Sequence, residues 1–380
     1  MSQGRKGIGL YIHIPFCTQK CHYCDFSSYP GMESLWEDYA KAIVSELALK
    51  YELLQDKIIE TIFIGGGTPS LIPYHQISMI MDGIRGYSLA SDAEISIECN
   101  PGTLDAPKLK AYAALGINRL SIGLQAYQEN ILRLLGRIHT GKQFEEAVYL
   151  AKSHGFSNIN ADIIFGIPKQ TLKDWQETLN RVMALDLPHV SCYGLKIEEG
   201  TVLDRLSRDG QLEEIDDALD RQMYEEAKAI LADHGLYQYE ISNFARPGYA
   251  CRHNIRYWER DEYIGLGAAA HSLTRDRRYA NTSDVGLYIK GIASGKPVLS
   301  EDYTISSDEA LSESMILGLR MNKGINLDEL SQFFGLNVRE RFHEKLMNLS
   351  SKELVDYTGA MVRLTKKGMD YANQVFIEFI

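Results

Sequence analysis

Three cysteines fall within eight residues, in Pro15-Phe-Cys17-Thr-Gln-Lys-Cys21-His-Tyr-Cys24-Asp-Phe26. The spacing is C-x-x-x-C-x-x-C, directly after an apolar run with strand character, Gly9 to Ile14. Cysteine thiolates are the protein ligands of iron–sulfur clusters. Three on one short loop can hold three irons of a 4Fe-4S cubane and leave the fourth iron without a protein ligand. An open coordination position is what a catalytic metal centre keeps and a structural one fills. Two plainer readings compete. A structural zinc ion needs four ligands; His22 could complete a Cys₃His set, but it is adjacent to Cys21 and no second ligand pair follows downstream. A disulfide with a spare thiol does not suit a reducing cytosol. The remaining cysteines, Cys99, Cys192 and Cys251, are isolated, and isolated cysteines are usually small buried hydrophobes.

A cluster loop needs a scaffold, and the first half of the chain reads as one. Strand candidates Gly9–Ile14, Thr61–Ile64, Glu94–Glu98, Arg119–Gln125, Asn158–Phe165 and His189–Leu195 alternate with helical patterns. Strands alternating with helices of 10–20 residues predict βαβ units and a parallel sheet. Six units in about 195 residues are too few for an eight-fold barrel of roughly 250. The expectation is an α/β fold, a partial (β/α)6 barrel. Parallel sheets place their sites at the strand C-terminal ends. Glu98, Gln125 and Asp162 lie at or near such ends, and Gly65-Gly66-Gly67-Thr68-Pro69 follows the second strand. That glycine run carries no Gly-Lys-Ser/Thr, which disfavours a nucleotide triphosphate.

After about residue 200 the rhythm changes. A charged helix is expected from Asp216 to His234, then a loop rich in Gly, Pro, Arg and aromatics from Asn243 to Gly267. From about Asp308 the order is helix, helix, short β pair around Thr358-Gly359, helix. That order predicts a smaller, mostly helical, winged-helix-like domain. The domain boundaries read as 1–240 for the barrel with its cluster loop at 15–30, 241–305 for a connecting segment, and 306–380 for the C-terminal domain.

The chain has 380 residues, 40 Lys+Arg and 51 Asp+Glu, a net charge of −11. This balance points away from nucleic acid and from a polybasic membrane binder. No apolar stretch reaches the roughly 20 residues of a membrane span. Arg5 and Lys6 precede only a short apolar run, so no signal peptide is expected and the cytosol is the default location.

On these residues the chain resembles radical S-adenosylmethionine proteins. More narrowly, it resembles the family of oxygen-independent coproporphyrinogen III oxidases and haem chaperones, over nearly its whole length from Tyr11 onward. The resemblance implies a 4Fe-4S cluster on Cys17, Cys21 and Cys24. It implies S-adenosylmethionine at Tyr11, Tyr23, Gly66, Gly67, Thr68, Glu98, Gln125, Arg137 and Asp162. An electron from such a cluster cleaves the sulfonium and releases a 5′-deoxyadenosyl radical.

Two departures separate the chain from the oxidases. Their motif carries a further cysteine two residues after the third, where Phe26 stands here. They also have a long segment before the motif, where 16 residues precede Cys17. Cys24-Asp25-Phe26 instead matches the chaperones. So does His253-Asn254-Ile-Arg-Tyr257-Trp258, an H-N-x-x-Y-W motif associated with haem. Histidine ligates haem iron. Tyr257 and Trp258 offer flat apolar faces, and Arg252 and Arg256 could pair with propionates. A structural loop tie at His253 is the plain alternative, and His271 is a second candidate ligand. The implied function is delivery of haem to apo-haemoproteins, among them respiratory enzymes at the membrane, with a homodimer as one possible state. The rival is oxidative decarboxylation of coproporphyrinogen III. Radical methylation or haem ring opening is a third.

Overall fold

The computed structural model describes residues 7–380. Arg5 and Lys6 lie outside the described residues. Six strands form the parallel centre: β1 (Gly7–Ile14), β2 (Ile58–Gly66), β3 (Leu89–Cys99), β4 (Arg119–Gln125), β5 (Asn158–Phe165) and β6 (His189–Gly194). They pair in chain order. Helices Trp36–Leu49, Tyr74–Ile84, Ala106–Ala114, Gly141–Ser153 and Leu172–Ala184 make the crossovers. Nearly every residue of β1 and all of β4 are buried, with helices on one face and the barrel lumen on the other. The helix starts are locally encoded. Thr140 with Gln143, and Thr171 with Asp174, form capping boxes, which satisfy the orphan N–H groups of a first turn.

The segment 241–305 does more than connect. It supplies β8 (Asn243–Ala245), β9 (Tyr263–Leu266), β10 (His271–Thr274), β11 (Arg277–Asn281) and β12 (Leu299–Thr304). With β7 (Tyr237–Glu240), these complete a 12-stranded sheet ordered β12-β11-β10-β9-β1-β2-β3-β4-β5-β6-β8-β7. β9 runs parallel to β1, and β8 runs antiparallel to β6. The six-strand core is thus extended at both edges and stays open. The stretch expected to be a loop also contains a helix, Arg252–Trp258. Its cap comes from far away in sequence: the Glu94 carboxylate on β3 accepts the backbone N–H groups of Arg252 and His253, each at 3.0 Å.

The C-terminal unit has its own core around Leu311, Leu327, Val338, Leu346 and Val362. Helices Leu327–Phe334 and Val338–Ser351 precede the hairpin of β14 (Val355–Thr358) and β15 (Met361–Leu364). β13 (Ile325–Asn326) pairs with β15. This is the winged-helix-like order expected from the sequence. No helix among the described residues is long and apolar enough to cross a membrane.

Glu46, 0% exposed, ties the β9–β11 extension to the first crossover helix. Its carboxylate accepts from Gly267 N–H at 2.9 Å, Asn281 Nδ2 at 2.8 Å and the Tyr288 hydroxyl at 2.7 Å, with Lys50 Nζ at 3.6 Å. Glu46→Ala leaves four buried polar groups short of a partner. The expected loss is roughly 3–5 kcal/mol, read as a lowered denaturant midpoint.

Candidate functional site at the cysteine loop and the sheet mouth

The cysteine loop is clamped at both ends. Tyr29 N–H donates to Pro15 O at 2.7 Å, and Cys17 N–H to Tyr29 O at 3.2 Å. The glycine loop after β2 locks onto it: Gly67 N–H reaches Ile14 O at 2.9 Å and Thr68 N–H reaches Phe16 O at 2.8 Å. Only glycine allows this approach. A Cβ on Gly67 would lie 2.7 Å from Phe16 O and 3.0 Å from Cys17 Sγ. On the other side, His22 N–H donates to Leu135 O and His22 Nδ1–H to Leu134 O, both at 2.9 Å. Its ring therefore packs against the β4–α segment. Gly136 leaves room for it, since a Cβ there would be 2.7 Å from the imidazole.

Cys17, Cys21 and Cys24 are half-buried free thiols. Arg137 places Nη1 3.6 Å from Cys21 Sγ, a cation beside a ligand that must be anionic to bind metal. Burial pushes the Cys17 and Cys24 thiols up. Three thiols on one loop, with a cation beside Cys21 and a glycine cradle against Cys17, are the donor type that iron–sulfur clusters use. Gly67→Ala overpacks this contact, which costs about 1–3 kcal/mol in a tight interior. The expected result is reduced iron uptake in anaerobic reconstitution, with a melting midpoint lowered by about a few degrees.

The other expected cofactor positions gather at the same end of the sheet. Glu98 Oε2 accepts Gly66 N–H at 2.9 Å. Burial, then the nearby Asp162 carboxylate, push its carboxyl up to about 7. Asp162 accepts from the Ser121 hydroxyl at 2.9 Å and Asn160 Nδ2 at 2.8 Å. Glu98, Asp162, Tyr11, Arg119 and Asn254 line a small polar cavity of about 150 Å³ in the lumen. Gln125 ends β4 with φ +68°, a left-handed conformation rare for a side-chain-bearing residue. Such strain, of order 1–3 kcal/mol, tends to be held at functional sites. Tyr23 is half-buried against the apolar patch of Ala126, Ile131 and Ile164.

Two contributors carried no signal of their own in the sequence. Asn100 joins the halves of the site: Nδ2 donates to Thr68 Oγ1 at 2.9 Å, and Oδ1 accepts Arg137 Nη2 at 2.7 Å. His13, two residues after Tyr11 on the same face of β1, donates from Nε2 to Ser27 O at 2.8 Å. That fixes its tautomer, so Nδ1 accepts the Tyr11 hydroxyl at 2.9 Å. Position in a period-2 pattern was the only available pointer.

The H-N-x-x-Y-W segment divides. His253 is 1% exposed. Its Nδ1 bonds Thr61 Oγ1 at 2.8 Å and its Nε2 the Tyr257 hydroxyl at 2.9 Å. Its ring stacks on Phe63 at 5.3 Å. Burial and then Arg256 hold the imidazole at about 3, hence neutral. Both nitrogens are committed inside the protein, so His253 does not face either cavity as a free ligand. Arg252 pairs with Asp92, and Arg256 with Glu60 and Gly7 O; neither is free for a propionate. Asn254 faces the lumen. Tyr257 and Trp258 face a larger cavity of about 580 Å³ between β1, the end of the cysteine loop and β9–β11. Phe26, 64% exposed, stands at that cavity, and so does His271. Cys99, Cys192 and Cys251 are buried, with Cys99 and Cys251 pushed up to about 12 by burial.

The comparisons agree with this layout. Residues 11–182 match the radical SAM superfamily and 305–371 the HemN C-terminal domain. The chain is 36% identical over 372 residues to the heme chaperone HemW of Bacillus subtilis (strain 168), covering 97% of this chain and 98% of the relative. It is 41% identical over 266 residues to the heme chaperone HemW of Escherichia coli (strain K12), covering 70% and 69%. The solved structure of coproporphyrinogen III oxidase (HemN) from Escherichia coli superposes with a TM-score of 0.87 at 25% identity, over 98% of this chain and 89% of that one. With the cysteine loop, the glycine cradle and both matched domains in place, and 98% of the Bacillus subtilis relative's length covered, the chain belongs to the HemW heme chaperone family of the radical SAM superfamily.

Proposed function

We propose that this protein is a cytosolic haem chaperone that binds haem and passes it to apo-haemoproteins, including respiratory enzymes at the membrane, and that it carries a 4Fe-4S cluster and S-adenosylmethionine. The observation that carries the reading is the aromatic cavity of about 580 Å³ beside the cysteine loop, in a chain of this family. That volume suits a cofactor-sized ligand. Cys17, Cys21 and Cys24 would hold the cluster, and Arg137 would offset charge at Cys21. Gly66, Gly67, Thr68, Glu98, Gln125 and Asp162 would bind and orient S-adenosylmethionine, with Tyr11 and Tyr23 on its flanks. Bound together, the two groups supply one-electron cleavage of a sulfonium. Glu98 and Asp162 would meet the cofactor's ammonium and ribose hydroxyls, and Asn100 would keep Thr68 and Arg137 in register.

The test is a haemin titration of the cluster-reconstituted chain, followed by absorbance. One haem per chain is expected; no saturable binding would remove the reading. A second reading, the decarboxylase, is favoured by the whole-chain likeness to the HemN oxidase. Phe26 counts against it, since it puts an exposed ring where those enzymes carry a cysteine.

A further inference from the structure

The large cavity has chemistry of its own, apart from the H-N-x-x-Y-W histidine. Its walls include Phe26, Tyr257, Trp258 and Tyr263. One imidazole there is free: His271, at the start of β10, is exposed and its ring has no hydrogen-bond partner among the described residues. On β11, the strand paired with β10, Arg278 shares the carboxylate of Glu313 with Arg260, with Arg260 Nε at 2.8 Å and Arg278 Nη2 at 3.1 Å. Two donors on that side are buried without a partner, Arg260 Nη2 and Trp258 Nε1. Buried donors are almost always paired, so such exceptions call for an acceptor. Aromatic faces, one free imidazole and arginines with idle donors match a flat metalloporphyrin bearing carboxylates.

We propose that this cavity is the porphyrin site, that His271 ligates the haem iron, and that Arg260 and Arg278, with the Trp258 indole N–H, receive a propionate. The assignment rests on the haem-chaperone reading and deepens it. His253 then acts as a positioning residue, holding Tyr257 against the cavity through its Nε2.

The experiment compares haemin with iron-free protoporphyrin IX on the reconstituted full chain. Binding is followed by absorbance difference spectra, and the ferric iron by EPR. His271→Ala is expected to weaken haemin at least about tenfold, with a changed ferric spectrum. Protoporphyrin IX affinity should stay within about twofold of wild type, because no iron is there to ligate. Added imidazole should restore the wild-type ferric spectrum. Arg278→Gln should weaken both porphyrins. His271 is exposed, so its loss should leave the melting curve unchanged. Unaltered haemin affinity and spectrum in His271→Ala would overturn the assignment. So would a spectrum that changes only in His253→Gln, while haem binding itself would stand. Failure of the wild-type chain to bind haemin would instead remove the chaperone reading.

Discussion

Alanine in place of Cys17, Cys21 or Cys24, one at a time, is expected to abolish assembly of a 4Fe-4S cluster and leave the fold standing. Each thiol would serve one iron, and no neighbouring group can replace it: His22 is committed to Leu134 O, and Phe26 stands where a further cysteine might serve. The loop's backbone clamps at Pro15–Tyr29 and Gly67–Thr68 use no cysteine side chain. Iron per chain should fall from about four to near zero, with little change in the melting temperature. The converse holds for the other three cysteines. Cys192 and Cys251 are buried in the core, so alanine there should cost stability through lost packing and spare the iron. Iron and sulfide analysis after anaerobic reconstitution, run beside thermal melts, separates the two classes.

The second large effect is a pH dependence of S-adenosylmethionine binding centred on Glu98. In the ligand-free chain this carboxyl sits at about 7 instead of 4.5. Folded protein therefore holds a proton that unfolded protein gives up between those values. Stability falls as pH rises through that window, by roughly 3 kcal/mol in total. A cationic cofactor reverses the preference, because it favours the ionised carboxylate. Affinity should rise with pH and level off above about 7, and be about tenfold weaker at pH 6 than at pH 8. Glu98→Gln should bind weakly with a flat profile over the same range. Its ligand-free form should lose less stability than wild type between pH 5 and pH 8. A wild-type affinity independent of pH across about 5–8 would remove Glu98 from the cofactor's ammonium.

How far the sequence carried the site depends on what each feature needs. The parallel core was legible because its signals are local: β5 was expected at Asn158–Phe165 and is found there. The helix Arg252–Trp258 was not legible. Its N-terminus has no side-chain cap of its own, and the carboxylate that serves it lies on β3. The added strands β9 and β10 have four residues each, too short for an alternating pattern to stand out. The H-N-x-x-Y-W residues do not share one surface, because they lie on a helix. Helical spacing puts His253 and Tyr257 on one side, in edge contact at 5.0 Å. Arg256 turns toward Glu60 instead. Arg137 was singled out only by the family resemblance, and its partners Cys21 and Asn100 lie far from it in sequence. His271 has no motif around it and gains meaning only from the wall it stands in.

The most direct test of the chaperone account uses one reconstituted sample in two anaerobic assays. The first supplies coproporphyrinogen III, a reductant and S-adenosylmethionine. The second loads haem and mixes the complex with an apo-haemoprotein. The account predicts no protoporphyrinogen in the first assay, and stoichiometric haem binding followed by transfer in the second. Protoporphyrinogen formation, with haem that is not bound or not released, would contradict it and make Phe26 a tolerated variation in an oxidase.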